Sequence, residues 1–536
     1  MAPKNKKKPP DPVPGLPSYQ TIKTSLKCVA RNDVVIEKLQ EATKRVNPIM
    51  THGLHFLKLY LLHCHETGVP FPKLDKAFVN TVLKVSCKDA TSGRKAKDET
   101  ITVKAGLRDL YDRHYKPYVS EEVPYTHLNT VIDYMAIEVI TMYESNIKAR
   151  FVGHVERFVN ASWGMKDALA AIKASDVSSE EKRTQGNALC AQLRKIKIDL
   201  LSPDERLTSD EKYHEWIEAQ RPHVMPQRKL NKGAYYDIQC SPQDYLRPML
   251  YMMHAMEARG AKVNTVFPLR SDLIPKHFRM DTMTLVYLCM KKDISTQAYY
   301  TTNGNLVRHQ RRIWNFFFKT HLKCFHIEHD PDKEYKHGYT FDHMVETDGV
   351  SISILLVRKE LIGKKVRKPK PGPSPPEQYI DELEANTYAS LKEKKLVAID
   401  PNMSDLLYCV DGPDEDKTVY RYTQDTHRKD TYVKKHRDYL QTCKHEVLDG
   451  KRIVEWEADL SAYNKKTTDF AAFETYEAKK NEMNLRLAPF YEDHTFRRMK
   501  MLSFIGRQRT EAKMIQEFKA KFGSGEEAVV AIGDWE

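Results

Sequence analysis

The 536 residues carry 86 Lys+Arg against 73 Asp+Glu, a formal net charge of +13, with 30% charged and 41% hydrophobic residues. That composition is globular and excludes a disordered chain; at about 100–200 residues per domain the length predicts roughly three domains. No apolar run reaches the ~18–20 residues that cross a bilayer, since the best one, Leu54 to Cys64, is broken by His55, Lys58 and His63.

The basic start, Met1 to Pro10, leads into no apolar segment, so a secretory leader is not expected. Nine cysteines stand far apart with no Cys-x-x-Cys pair, which predicts reduced thiols of the cytosol or nucleus and no zinc site of the usual spacing. The positive charge favours a polyanionic partner.

In chain order, residues 1–20 are basic and then proline-rich, and read as a tail. Lys4 to Lys8 within it suit a nuclear-import patch or a solvated charge run, which gives a nuclear location with a cytoplasmic alternative. Residues 21–258 are helical in pattern: Val35, Ile36, Leu39 and Ala42 recur at helix spacing, as do Val131, Tyr134, Ile137, Val139 and Met142, with polar connections at 90–100 and 174–186. His63-Cys64-His65 lacks further ligands at metal spacing and reads as part of an apolar helix.

Residues 259–362 read as α+β. Val263 to Arg270 is β-prone with Pro268 near its end, and Thr347-Asp348-Gly349 is a turn before the alternating strand Val350 to Val357. Between them a helical segment carries Arg308, Arg311 and Arg312 beside Trp314, Phe316, Phe317 and Phe318, an arrangement that suits phosphate contacts and stacking as well as a core face. His343, beside the turn, is assigned no catalytic role.

Residues 363–392 read as a basic, proline-rich linker and a short helix, Ile380 to Leu391. Lys364, Lys365, Arg367 and Lys368 stand beside five prolines from Pro369 to Pro376, an extended connector that tracks a phosphate backbone or is simply solvated.

Residues 393–536 hold the chemistry. Leu396 to Ile399 is a buried-type strand that ends in Asp400 and is stopped by Pro401. Leu406 to Val410 and Val419 to Thr423 follow as a hairpin, then helices over 469–522 divided by Pro489. Ala528 to Ile532 is a last apolar strand before Gly533-Asp534-Trp535-Glu536. Strand, hairpin and strand with a terminal acid is the opening of an RNase H-like fold, although Asp-Pro at a strand end is also plain turn chemistry. No phosphate loop of the Gly-x-x-x-x-Gly-Lys-Ser/Thr type and no Gly-x-Ser-x-Gly elbow is present.

Several pieces in order resemble the transposon-encoded RNA-guided DNA endonucleases, the Fanzor proteins of eukaryotes related to bacterial TnpB. They are Val266-Phe267-Pro268-Leu269-Arg270, Ile274-Pro275-Lys276-His277, Phe341, Thr347 to Ser351, Val397-Ala398-Ile399-Asp400-Pro401, Tyr420-Arg421-Tyr422-Thr423 and Ala531 to Trp535. The resemblance implies a multidomain α+β protein: a helical recognition lobe, a β-containing wedge domain and a partial RuvC domain.

It also implies a guide RNA and a target DNA as partners, no membrane, and Mg²⁺ as the cofactor of a RuvC site. Asp400 matches the first RuvC acid, and Asp534, with Glu536 in reserve, is the candidate for the second, both as catalytic and metal-binding residues. The zinc ribbon and third acid that the family carries are not in this chain, so the nuclease domain reads as truncated and zinc is not expected. Two alternatives stay open: a catalytically dead nucleic-acid-binding protein, and a helical protein-interaction scaffold.

Overall fold

The computed structural model describes residues 17–88, 98–120, 122–202, 207–226, 230, 233–290, 294–328, 338–364, 389, 391, 394–400, 402–412, 417–525 and 527–532. The molecule is mixed α+β, and none of its described helices is long and apolar enough to cross a membrane.

The described chain opens on a strand, β1 (Tyr19–Ser25). After a helical turn comes α1 (Asp33–Glu66), capped by Asn32, whose side chain accepts from the Val35 N–H at 3.1 Å. Val35, Leu39, Ala42 and Val46 repeat at helix spacing and are all buried. α2 (Lys76–Val85) packs against Gly53 of α1, where any side chain would displace the buried Leu83. α3 (Asn129–Ser162) and α4 (Leu246–Ala258) complete the main helical layer.

The polar stretch expected as a connection at 174–186 is shorter. A helix already starts at Ser179, because Ser178 and Glu181 form a reciprocal capping box.

The middle of the chain includes β2 (Phe278–Met280), α5 (Asn303–Phe317), β3 (Tyr339–Thr347) and β4 (Ser351–Arg358). Their sheet has the order β1-β4-β3-β2, with the two-residue strand His326–Ile327 also paired on β3, antiparallel throughout, with Tyr19 opposite Val357 and Ser25 opposite Ser351. The strand therefore begins inside the segment expected to be a tail. Ile22 is its one large aliphatic residue, so its alternation is hard to see in the sequence. A register shift between Phe341 and Val345 is absorbed at His343, whose φ of 57° lies in the left-handed region.

Val263 to Arg270, expected as β-prone, forms no strand. Val263, Val266 and Phe267 are buried on an irregular path. The turn Thr347-Asp348-Gly349 is built as its composition predicts. Asp348 Oδ1 accepts from the N–H groups of Val350 (3.0 Å) and Ser351 (2.7 Å), and Gly349 has a φ of 80°. The buried Arg497 donates to the Asp348 carbonyl at 2.6 Å, tying this turn to the C-terminal helices.

Among the C-terminal elements are β5 (Lys395–Asp400), β6 (Asp405–Asp411), β7 (Thr418–Thr423), α6 (Phe470–Tyr491), α7 (His494–Phe522) and β8 (Ala528–Ile532). Pro489 sits in the last turn of α6 rather than between helices. The break comes at Asp493, whose carboxylate caps α7 by accepting from the Thr495 N–H at 2.6 Å. The second sheet has the order β7-β6-β5-β8, with β5, β6 and β7 antiparallel and β8 parallel to β5. Val397, Ile399, Cys409, Tyr420 and Tyr422 pack under Phe522 of α7.

One buried core runs from Leu26 through α1 to α4 into Ile354 of β4, and takes in Phe470, Phe473 and Tyr476 of α6. The segments 21–258 and 259–362 thus share a core. Inside it Lys58 is 1% exposed, its Nζ donating to the Lys465 carbonyl at 2.8 Å and lying 3.8 Å from the Phe473 ring centroid. Burial pulls its pKa down to about 7.

The unfolded chain therefore binds this proton more readily, and stability should rise with pH from about 7 towards the usual lysine value, with a slope of up to about 1.4 kcal/mol per pH unit. Urea titrations at pH 7 and pH 9 on wild type and Lys58→Met check this. The wild type should gain more than the variant, and equal gains would contradict it.

Candidate functional site

β5 is a run of apolar residues whose alternate side chains point to opposite faces, so Val397 and Ile399 are buried while Leu396, Ala398 and Asp400 are exposed. Asp400 ends the strand opposite Tyr408 of β6. On its other side β5 pairs in parallel with β8, from Lys395 opposite Ala528 to Ile399 opposite Ile532. Two parallel strands in register bring their C-terminal ends to the same edge of the sheet, the usual place for ligands in such sheets. Asp534 and Glu536, which follow β8 in sequence, lie outside the described residues.

The other acids of this sheet are engaged. Asp405 holds Arg421 of β7 through both carboxylate oxygens, at 2.5 Å to Nε and 3.0 Å to Nη2. That fork keeps its carboxyl below the usual range. Asp411 pairs with Lys395 and accepts from the Thr418 N–H at 2.8 Å, which likewise holds its pKa down and closes the β6–β7 hairpin. Among the described residues no group of three or more His, Cys, Asp or Glu side chains gathers where a metal would sit. The Asp400 carboxylate is a hard oxygen donor, the type of group that Mg²⁺ prefers. His63, Cys64 and His65 instead make helix packing contacts, with His63 beside Phe470 and His65 beside His254.

The basic residues of α5 sit on the other sheet. Ile313, Trp314 and Phe317, with Phe318 just beyond, form the buried side, and the Trp314 Nε1–H donates to Thr282 Oγ1 at 2.8 Å. Arg308, Arg311 and Arg312, spaced i, i+3, i+4, share the opposite exposed face and make no ion pair with a described residue. Of the aromatic run only Phe316 is free for stacking, at 69% exposed.

Arg31, which the sequence gives no reason to place here, joins this face by donating to the Asn315 carbonyl (2.5 Å) and to Asn315 Oδ1 (2.9 Å). His343 lies under the same face. Burial, then Arg311, pulls its pKa down to about 4, so it stays neutral. Lys364 is exposed, while Lys365, Arg367 and Lys368 lie outside the described residues.

A family model described as a domain of unknown function, DUF8286, matches residues 278–358. That span runs from β2 through α5 to the end of β4. It contains the three arginines and every strand of the first sheet except β1, which completes the sheet from the N-terminal side. Among curated proteins none matches the chain.

Proposed function

We propose that this chain is an RNA-guided DNA-binding protein of the Fanzor and TnpB kind, with a C-terminal domain on the RuvC plan. One observation carries the reading. β5 to β7 form an antiparallel meander, β8 returns parallel to β5, and Asp400 stands exposed at the shared strand end. Asp400 is then a metal ligand, and Asp534, two residues past β8 in sequence, is the candidate second. Mg²⁺ held there would supply Lewis-acid activation of a phosphodiester. Arg308, Arg311, Arg312 and Lys364, with Lys365, Arg367 and Lys368, would hold nucleic-acid backbone, and the nucleus is the compartment that suits a DNA target.

A second reading, binding without cutting, is favoured by the engagement of Asp405 and Asp411 with Arg421 and Lys395. The two readings share their first test. The full chain, expressed with its flanking locus transcribed, is purified through washes of rising salt, and the bound RNA is sequenced. A discrete RNA from the locus end supports both readings, and random RNA lost at physiological salt overturns both and leaves the scaffold alternative.

The same preparation tests the arginine face. Arg308→Gln, Arg311→Gln and Arg312→Gln together should lower the slope of log K against log salt by about 2, at roughly 0.7 per phosphate contact on a single strand. An unchanged slope removes the face from the interface.

A further inference from the structure

Between α1, α3, β2 and the β3–β4 turn lies a cavity of 790 Å³. It is bounded by residues from the sequence segments 270–279 and 346–348, so stretches that are far apart in the chain converge on one space. Five cationic side chains line it (Lys23, Arg270, Lys276, Arg279 and Lys500) against three carboxylates.

Most of the charges are accounted for. Arg279 pairs with Glu346 at 2.6 Å, Lys500 with Asp272 at 2.9 Å, and His277 sits on Ser351 Oγ at 2.8 Å and on Asp348 at 3.6 Å. Arg270 is 6% exposed, donates to Asn47 Oδ1 at 3.1 Å, and has Glu138 only at 3.5 Å. Lys23 and Lys276 have no carboxylate partner among the described residues.

Both lysines are held below the usual lysine range, first by partial loss of water in the cleft; Arg270 adds to this at Lys276 and Lys500 at each, while Asp348 and Glu346 at Lys23, and Asp272 and Glu138 at Lys276, act the other way from beyond ion-pair distance. Cations that crowd one another in a cleft are relieved by an anion. The floor is different in character: Met142 is half-buried there, Met50 and Met135 reach it from the core, and the Tyr134 ring beside them has the Arg279 guanidinium 5.8 Å from its centroid, so this side is polarizable and apolar, of the kind that takes a flat aromatic group. The volume lies within the range of pockets that enclose a small organic ligand, about 300–1,000 Å³, and exceeds what a lone phosphate needs.

We infer that this cavity binds a nucleotide unit, its phosphate on Lys23, Lys276 and Arg270 and its base on the methionine floor. The chemistry is shared by a free nucleotide and by one nucleotide of an RNA strand. The assignment stands on the cavity alone and survives failure of the guide-RNA reading.

The test is calorimetric titration of the full chain with adenosine 5′-monophosphate, inorganic phosphate, adenosine and a short 5′-phosphorylated single-stranded RNA. The nucleotide should bind more tightly than phosphate or adenosine. Lys23→Gln with Lys276→Gln should weaken it by at least about tenfold, two charge-assisted contacts being lost. Lys276→Gln alone, at an exposed residue, gives the same direction without touching the core. Arg183→Gln, on the exposed side of the helix Ser179–Leu201, should change nothing.

If only the RNA binds and the lysine variants weaken it, the source is a strand. If neither the nucleotide nor the RNA binds, or the lysine variants bind as tightly as wild type, the assignment is wrong.

Discussion

Asp400→Ala is expected to lower Mg²⁺-dependent cleavage of guide-matched DNA by more than about 10²-fold, since loss of a mere outer-shell partner already costs 10–100-fold at metal sites. RNA retention and thermal stability should stay as in wild type. The separation is what gives the variant its force. Asp400 is exposed at the end of β5, and surface substitutions of that kind shift stability by no more than about 0.5 kcal/mol.

Asp400→Asn keeps the shape and removes the charge, so it should lose cutting to a similar degree. Undiminished cleavage in either variant removes the RuvC assignment. A wild-type chain that retains its RNA and cuts nothing with Mg²⁺ present places the protein with the binders instead.

Glu477→Ala is expected to destabilise the fold by about 3–5 kcal/mol, the cost of breaking a buried hydrogen-bonded pair by removing one partner. Glu477 is 0% exposed and His55 is 1% exposed, with Oε1 and Nδ1 at 2.6 Å. The other ring nitrogen meets the Arg270 carbonyl at 2.8 Å, so it carries a proton and donates. A second proton must then sit between Nδ1 and Glu477. The pair fastens α6 to α1 across 422 residues of chain, and alanine leaves Nδ1 buried with no hydrogen-bond partner.

Glu477→Gln keeps one hydrogen bond and should cost less. His55→Leu with Glu477→Leu removes both polar groups, and its urea midpoint should lie well above that of Glu477→Ala. If the double substitution falls as low as the single one, packing and not the pair explains the loss.

Much of the fold is written locally. The helices of 21–258 show in their apolar spacing, β4 shows in the alternation after Gly349, and β5 shows as a run stopped by Pro401. What hides is what depends on distant partners. β1 carries little apolar signal because most of its binding to the sheet is backbone pairing. Val263 to Arg270 carries a strand's composition, yet its apolar residues are claimed by the core around α3, and among the described residues no strand pairs with it.

The same division holds at the candidate site. Asp400 is legible as an acid at a strand end, but the engagement of Asp405 depends on the β6–β7 register that sets Arg421 beside it. The arginines of α5 stand out against their aromatic neighbours. Arg31 does not, because only the folded chain brings it to Asn315.

The pairing of Tyr19 with Val357 has a meaning for synthesis. About 340 residues must be made between them, which at ~5–20 residues per second takes roughly 15–70 s. Through that interval β1 has left the ribosome with its peptide groups bonded only to water and its partner strand not yet translated. The first sheet is thus closed late and in one long-range step, whereas the helices between can form as they emerge. A chain released from denaturant faces the same loop to close, so assembly of this sheet should set the slow phase of refolding.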